Sequence, residues 1–281
     1  FEYKPLLATS YKWIDNKTLE FKIRSGIKFH NGASFGADDV VATYNHVSAE
    51  KSGVLTKKNV SWVDRAEKTA SDTVRIYLKK PFPAALEYVS GPMAIFPKDI
   101  WATAKKDATG KPDYGTVAPI GTGPYIMSKV VPGERVELKK NPNYWKASAK
   151  GQPAIGNIVF RSVADPEAQI AELLSGSLDW LWDVPKDKAE EIIKMKLATV
   201  INAPTMRIHY LAMDRAGRSG KGNPFTNLKV RKAVAHAIDR KSIAKNLVGG
   251  ASEVIHSACY PTQFGCTQDV PKYDYNPEKA K

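Results

Sequence analysis

Leu19-Glu-Phe-Lys-Ile-Arg24-Ser-Gly26-Ile-Lys28-Phe-His30-Asn-Gly32, followed by Ala37-Asp38-Asp39-Val40-Val41, is the stretch from which the rest of the chain can be read. Its first six residues alternate: Leu19, Phe21 and Ile23 share one face, and Glu20, Lys22 and Arg24 the other. A period of two places the apolar side chains on one side of a half-buried strand. Asn31-Gly32 is a turn signal. Asp38 and Asp39 then suit the positive end of a helix, whose apolar face is Val40, Val41, Tyr44 and Val47.

The same two periods recur downstream. Val74, Ile76 and Leu78 alternate with Arg75, Tyr77 and Lys79, and Pro81 and Pro83 stop the strand. A short helix is expected from Pro83 to Tyr88, a polar surface loop between Thr103 and Val117, and strands around Val136 and Leu138 and around Ile158, Phe160 and Val163. Asp165-Pro166-Glu167 predicts a helix start, an N-cap followed by proline. Ile170, Leu173 and Leu174 are its buried face and Gly176 its stop. Further on, the pattern predicts a short apolar strand from Leu178 through Leu181. A helix follows Pro185 with Ala189, Ile192 and Ile193 inside, and then a strand through Ile208, Tyr210 and Ala212. Thr226 is expected to cap a helix carrying Val230, Ala233, Val234, Ala237 and Ile238. Asp239 caps the next, with Ile243 and Leu247 inside and Gly249 at its end. Strands and helices mix without a strict βαβ rhythm, which predicts an α/β protein with mixed sheets.

At 281 residues, with 43% hydrophobic and 25% charged residues, the chain has the length of roughly two globular domains. No apolar run approaches the roughly 18 residues a membrane helix needs, and no signal peptide opens the sequence. The net charge of +13 raises the question of nucleic acid or an anionic membrane. Its lysines and arginines are scattered, however, and the densest cluster (Lys139, Lys140, Lys146, Lys150) forms no helical stripe and accompanies no nucleic-acid motif. A solvated basic surface is the simpler reading. Cys259 and Cys266, with six residues between them in a turn-rich segment, fit a tight disulfide loop, with two free thiols as the alternative. Companion metal ligands are absent from that segment.

Catalytic motifs do not appear. There is no G-x-S-x-G elbow and no H-E-x-x-H pair, and His30, His46, His209, His236 and His256 lie far apart in sequence. Gly217-Arg-Ser-Gly-Lys221-Gly has the wrong spacing for a phosphate loop, and no Ser or Thr follows Lys221. Gly121-Thr-Gly-Pro-Tyr125 lacks the third glycine and the helix of a dinucleotide loop.

The order of the motifs supplies what chemistry does not. The opening stretch resembles the signature of the family 5 extracytoplasmic solute-binding proteins, the dipeptide-, oligopeptide- and nickel-binding proteins of ABC importers. Leu78-Lys-Lys-Pro81-Phe-Pro83, Phe96-Pro97-Lys98, Pro119-Ile-Gly-Thr-Gly-Pro-Tyr125 and Asn141-Pro-Asn-Tyr144-Trp145 follow in the family's order. So do Leu174-Ser-Gly176-Ser-Leu-Asp179, Val230-Arg231-Lys-Ala233, Ile238-Asp239-Arg240 and Tyr275-Asn-Pro-Glu-Lys279-Ala280. Gly36 stands where the family commonly has Thr, and Asn31 where Asp is usual.

The resemblance covers essentially the whole chain and implies the following. The fold is α/β, the two-lobe periplasmic-binding-protein-like fold of the peptide-binding class (type II), and the chain is a fragment lacking both ends. Residues 1–117 correspond to the smaller subdomain of lobe one, 118–204 to part of its main sheet, and 205–281 to the beginning of lobe two. The function is capture of a peptide or peptide-like solute outside the cytoplasm and its delivery to ABC permease subunits in the membrane. A nickel chelate, an opine or a sugar is the alternative cargo, and an enzyme or nucleic-acid-binding domain the remote one. No catalysis, cofactor, metal or nucleic acid is expected; the protein is expected to be a monomer, extracytoplasmic, with a signal peptide on the full-length chain. Gly26, Gly32, Gly121 and Gly123 are read as turn residues, and Tyr144, Trp145 and Val230 as core. Three stretches match cleft-lining positions: Ser90, Gly91, Pro92 and Met93; Trp182 and Asp183; and Arg207 and Tyr210. Trp182 and Tyr210 offer flat apolar contact with a polar edge. Asp183 suits an ammonium and Arg207 a carboxylate. The alternative is that Trp182 and Tyr210 pack in the core and Asp183 caps the helix near Pro185. The cysteine pair is expected as the disulfide Cys259–Cys266.

Overall fold

A computed structural model describes residues 2–54, 56–203, 205–249 and 252–281. Phe1 and Pro204, two of the expected region boundaries, lie outside the described residues. The chain divides into two compact units, Phe1–Val163 and Ala164–Lys281.

The first unit is built on the opening motif. Strands β1 (Ala8–Asp15), β2 (Thr18–Ile23), β3 (Val63–Ala70) and β4 (Thr73–Leu78) form a sheet in the order β1-β2-β4-β3. In the β2–β4 register Leu19 lies opposite Ile76 and Phe21 opposite Val74. In β3–β4, Ala66 faces Ile76 and Val63 faces Leu78. The predicted apolar faces therefore coincide, and Leu19, Val63, Val74 and Ile76 are fully buried. Helix α1 (Ala37–Ser48) packs on β3 and β4 with Val40, Tyr44 and Val47 buried. Burying each large apolar side chain is worth about 1.5–3 kcal/mol, so this face carries the unit.

The opposite face departs from simple alternation at Glu20, which is buried. Its cross-strand neighbours are Lys12 on β1 and Arg75 on β4. One carboxylate oxygen accepts from Lys12 at 3.0 Å and the other from Arg75 Nε at 2.8 Å. These partners, Arg75 foremost, hold the Glu20 carboxyl below its usual titration range.

α1 starts as the two aspartates suggested, but they divide the work. Asp38 is an exposed partner of Lys68. Asp39 is buried; one carboxylate oxygen accepts the Gly36 N–H at 2.8 Å and the other the Lys98 N–H at 2.8 Å. Thr43 on the next turn exchanges two hydrogen bonds with the backbone of Phe96. Phe96-Pro97-Lys98 is thus pinned to α1 by Asp39 and Thr43.

Helix α2 (Ala85–Ser90) follows β4, and the polar stretch read as a loop contains a two-residue hairpin, β5 (Lys105–Lys106) with β6 (Pro112–Asp113). A three-stranded sheet then runs β7 (Tyr125–Val131), β8 (Arg135–Lys140), β9 (Asn157–Arg161) in sequence order. All strand pairings among the described residues are antiparallel. Phe160, expected on a strand, is on β9 and exposed, whereas Val163 lies beyond the strand.

His30 ties this sheet's approach to the opening motif. Its backbone N–H donates to Gly121 O, its Nδ1 accepts the Gly121 N–H at 3.2 Å, and its Nε2 lies 3.0 Å from Gly123 O. That set of partners fits the neutral tautomer protonated on Nε2. Gly123 O also accepts from Asn141 Nδ2, and Asn141 N–H donates to Pro124 O. The Arg24 guanidinium lies over the Trp145 ring, 4.3 Å from its centre. The spaced motifs of this half therefore meet in one network. Gly26 and Gly32 take φ of +76° and +85°, which glycine adopts freely. Tyr144 is buried, as expected, and Trp145 packs half-buried against the core.

The second unit is helical among its described residues. Helix α3 (Pro166–Leu174) has the predicted Asp165 cap, accepting from Glu167 N–H, with Pro166 in the first turn and Ile170 buried. Helix α4 (Lys186–Met195) buries Ile192 but leaves Ile193 exposed. Helix α5 (Leu228–Ala237) is capped by Asn227, not Thr226, which sits in the preceding 3₁₀ turn. Asp239 caps α6 (Arg240–Ser242), which runs into a π-helical turn over Ile243–Val248. Leu247 is exposed there rather than inside. α7 (Pro277–Ala280) packs on α5. The strands expected at 178–181 and 208–212 do not form. A strand needs a hydrogen-bonded neighbour, and the described residues of this unit contain none.

Candidate functional site

The first of the three stretches ends helix α2. Ser90 is its last residue and Gly91 its C-cap, with the Gly91 N–H and the Ser90 hydroxyl both donating to Glu87 O. A Cβ on Gly91 would lie 3.2 Å from Glu87 O, so the carbonyl crowds this glycine. Ser90, Gly91 and Pro92 are exposed. Met93 is half-buried against the hydrophobic core.

The other two stretches lie in the second unit and meet. Trp182 is 69% exposed and Tyr210 83% exposed, so neither packs in a core. Trp180, two residues earlier, is 63% exposed, and the two indole rings sit 6.4 Å apart at 36°. Asp183 does not cap α4: the N-cap is Pro185, with no side-chain hydrogen bond. Its carboxylate instead faces the Arg207 guanidinium, Oδ1 to Nη1 and Oδ2 to Nη2, each at 3.4 Å. Asp183 adopts φ of +54°, an uncommon conformation that a short polar residue tolerates. Both partners are more than half exposed, so the pair is worth about 0–1 kcal/mol and can be exchanged for other charges at little cost. Thr205 Oγ1 accepts the Arg207 N–H.

This surface therefore presents the exposed indoles of Trp180 and Trp182 next in chain to the Asp183–Arg207 pair, with exposed Tyr210 three residues beyond Arg207. It can hold a small solute by stacking and by paired charge-assisted hydrogen bonds. Among the described residues no three His, Cys, Asp or Glu side chains gather as a metal site. Sequence reading missed Trp180. Its signal was its place two residues before Trp182, a second indole in the same short segment. Gly217-Arg-Ser-Gly-Lys221 folds around Asp214, whose carboxylate accepts from the Ser219 N–H and hydroxyl. Those bonds hold the Asp214 carboxyl below its usual range. Cys259 and Cys266 are joined as a disulfide, their Cα atoms 5.8 Å apart.

Residues 2–281 match the model of the bacterial extracellular solute-binding proteins, family 5. The glutathione-binding protein GsiB of Shigella flexneri is 29% identical over 282 residues, covering 99% of this chain and 52% of that protein. The oligopeptide-binding protein AppA of Bacillus subtilis, solved with a nonapeptide, superposes with a TM-score of 0.75 at 26% identity, covering 98% of this chain and 53% of that one. NikA of Brucella suis, solved with Fe(III)-EDTA, gives a TM-score of 0.77 at 25% identity, with 98% and 54% coverage. The chain thus spans about half the length of the relatives it matches. The likeness bears out the expected α/β fold of the two-lobe peptide-binding class, of which these residues are a part. With a match over nearly every residue, the chain belongs to family 5 of the bacterial extracellular solute-binding proteins.

Proposed function

We propose that the full-length protein is the substrate-binding component of an ABC importer, capturing a peptide or peptide-like solute outside the cytoplasm and handing it to permease subunits in the membrane. The observation that carries this reading is the family match over residues 2–281, joined by relatives named for glutathione and solved with a nonapeptide. The exposed rings of Trp182 and Tyr210 and the Asp183–Arg207 pair support it chemically: a peptide offers an ammonium for the one and a carboxylate for the other. Ser90, Gly91 and Met93 are proposed as further ligand-binding residues. Residues 1–117, 118–204 and 205–281 are proposed as the small subdomain, the partial main sheet of lobe one, and the start of lobe two. The protein is proposed to act as a monomer and to change no bond in its ligand, the work being done by closure around the solute.

A second cargo, a metal chelate, is favoured by one observation, the likeness to NikA solved with Fe(III)-EDTA. Calorimetric titration of the full-length protein with glutathione, short peptides and nickel–histidine chelates separates the two. Saturable binding of a peptide supports the first reading. Binding of chelates alone replaces it with the second, and binding of neither refutes both.

A further inference from the structure

Among the described residues of the second unit, a shallow cavity of about 430 Å³ opens beside the first turn of α4, far in sequence from Trp182 and Tyr210 only on its α6 side. Lys186 of α4, Lys241 of α6 and Lys245 of the π-helical turn line it, with Ser252 and Glu253 on the remaining wall. The lining thus carries three positive side chains against one negative. None of the three lysines forms an ion pair among the described residues, whereas Lys12, Lys22, Lys68 and Lys188 each do. Three ammonium groups outnumber the single Glu253 carboxylate, and an anion entering the cavity offsets the excess positive charge.

Two further features add to the lysines. Gly249 takes φ of +72°, and a Cβ there would lie 2.8 Å from Lys186 Cδ and 3.2 Å from its Nζ. The Lys186 stem therefore passes close to the Gly249 backbone at the edge of the cavity. In addition, α4 has no side-chain N-cap, so the positive end of its dipole is unneutralised by a cap on the side where Lys186 stands. Asp187 is in that turn but does not line the cavity.

We propose that this cavity is a second, anion-specific site that takes a phosphoryl group through Lys186, Lys241 and Lys245. Lysine ammoniums act as point charges for phosphate, and the Ser252 hydroxyl supplies a neutral donor. The phosphoryl group is either a soluble phosphate or the headgroup of an acidic phospholipid, and the test distinguishes them.

The experiment uses full-length protein, titrated calorimetrically with inorganic phosphate in chloride buffer and floated with phosphatidylglycerol or phosphatidylcholine vesicles. The variants are the Lys241→Gln, Lys245→Gln double substitution and Gly249→Ala. The lysines are exposed, so the double variant keeps the wild-type Tm. Phosphate binding weakened at least tenfold in the double variant, with no vesicle recruitment, establishes the site for soluble anions. Recruitment to phosphatidylglycerol alone, lost in the double variant, establishes it for the headgroup. Gly249→Ala, which displaces Lys186, weakens whichever binding is found. Absence of both kinds of binding, or binding unchanged in the double variant, overturns the proposal.

Discussion

Asp38 and Asp39 are neighbours of the same type, yet removing each should have very different consequences. Asp38 is exposed and makes an ion pair with Lys68 on β3, with oxygen–nitrogen distances of 2.9 and 3.1 Å. Such a pair contributes about 0–1 kcal/mol, and Asp38→Ala should stay inside that range. Asp39 is 7% exposed and accepts two backbone N–H groups, from Gly36 and Lys98. Its loss removes the N-terminal closure of α1, at about 1 kcal/mol. It also leaves the Lys98 donor without a partner, at about 1–3 kcal/mol. Together these put Asp39→Ala near 3 kcal/mol, while Asp39→Asn, which keeps one acceptor oxygen, should fall between. The assay is chemical denaturation with hydrogen exchange read at the α1 amides, so that the first unit is followed by itself. Equal effects of Asp38→Ala and Asp39→Ala, within about 0.5 kcal/mol, would refute the argument that the buried Asp39 carboxylate and its two backbone N–H partners, not charge at the helix end, hold α1 in place.

Other outcomes follow from the same contacts. Because Arg75 and Lys12 lower the Glu20 carboxyl's titration range, their stabilisation is full above the carboxyl's unfolded value. It is lost as pH falls through the lower folded value. Glu20→Gln should therefore flatten the acid limb of stability against pH, and an unchanged limb in a denaturation series would contradict this. Gly36 caps α1 in an extended conformation, and nothing lies within 4 Å of where a Cβ would stand. Gly36→Thr should accordingly raise stability by a few tenths of a kcal/mol, and a lower Tm would show the site to be crowded. Titration of the unreduced, unfolded protein should find no free thiol, and reduction should cost on the order of 2 kcal/mol for so short a loop; two titrated thiols would dispose of the Cys259–Cys266 bond. In calorimetry on the full-length protein, Trp182→Ala and Arg207→Ala should each weaken solute binding tenfold or more, and wild-type affinity in both would remove this surface from the solute site.

Legibility in the sequence followed the kind of interaction. β2, β4, α1 and α3 were readable because period and capping are local: Leu19, Phe21 and Ile23 at a spacing of two, and Asp165-Pro166 at a helix start. What failed depended on partners. Ile208, Tyr210 and Ala212 alternate as a strand does, but the described residues of this unit offer no neighbouring strand to pair with them. Ile193 and Leu247 are apolar on exposed turns, so hydrophobicity misplaced them. Glu20 is buried because Lys12 and Arg75 flank it from two other strands, a fact set by register alone. His30 looked like an isolated histidine; its partners lie more than ninety residues away. At the proposed solute surface the residue types were legible, but the Asp183–Arg207 pairing, across twenty-four residues of chain, was not.

The proposed function is capture of an intact solute by the full-length protein. Native mass spectrometry of the full-length protein, with glutathione and short peptides supplied in turn, tests it most directly. The account predicts a one-to-one adduct at the unaltered mass of at least one of these ligands, released intact on denaturation. Release of cleaved or modified products, or no adduct with any of them, would contradict it.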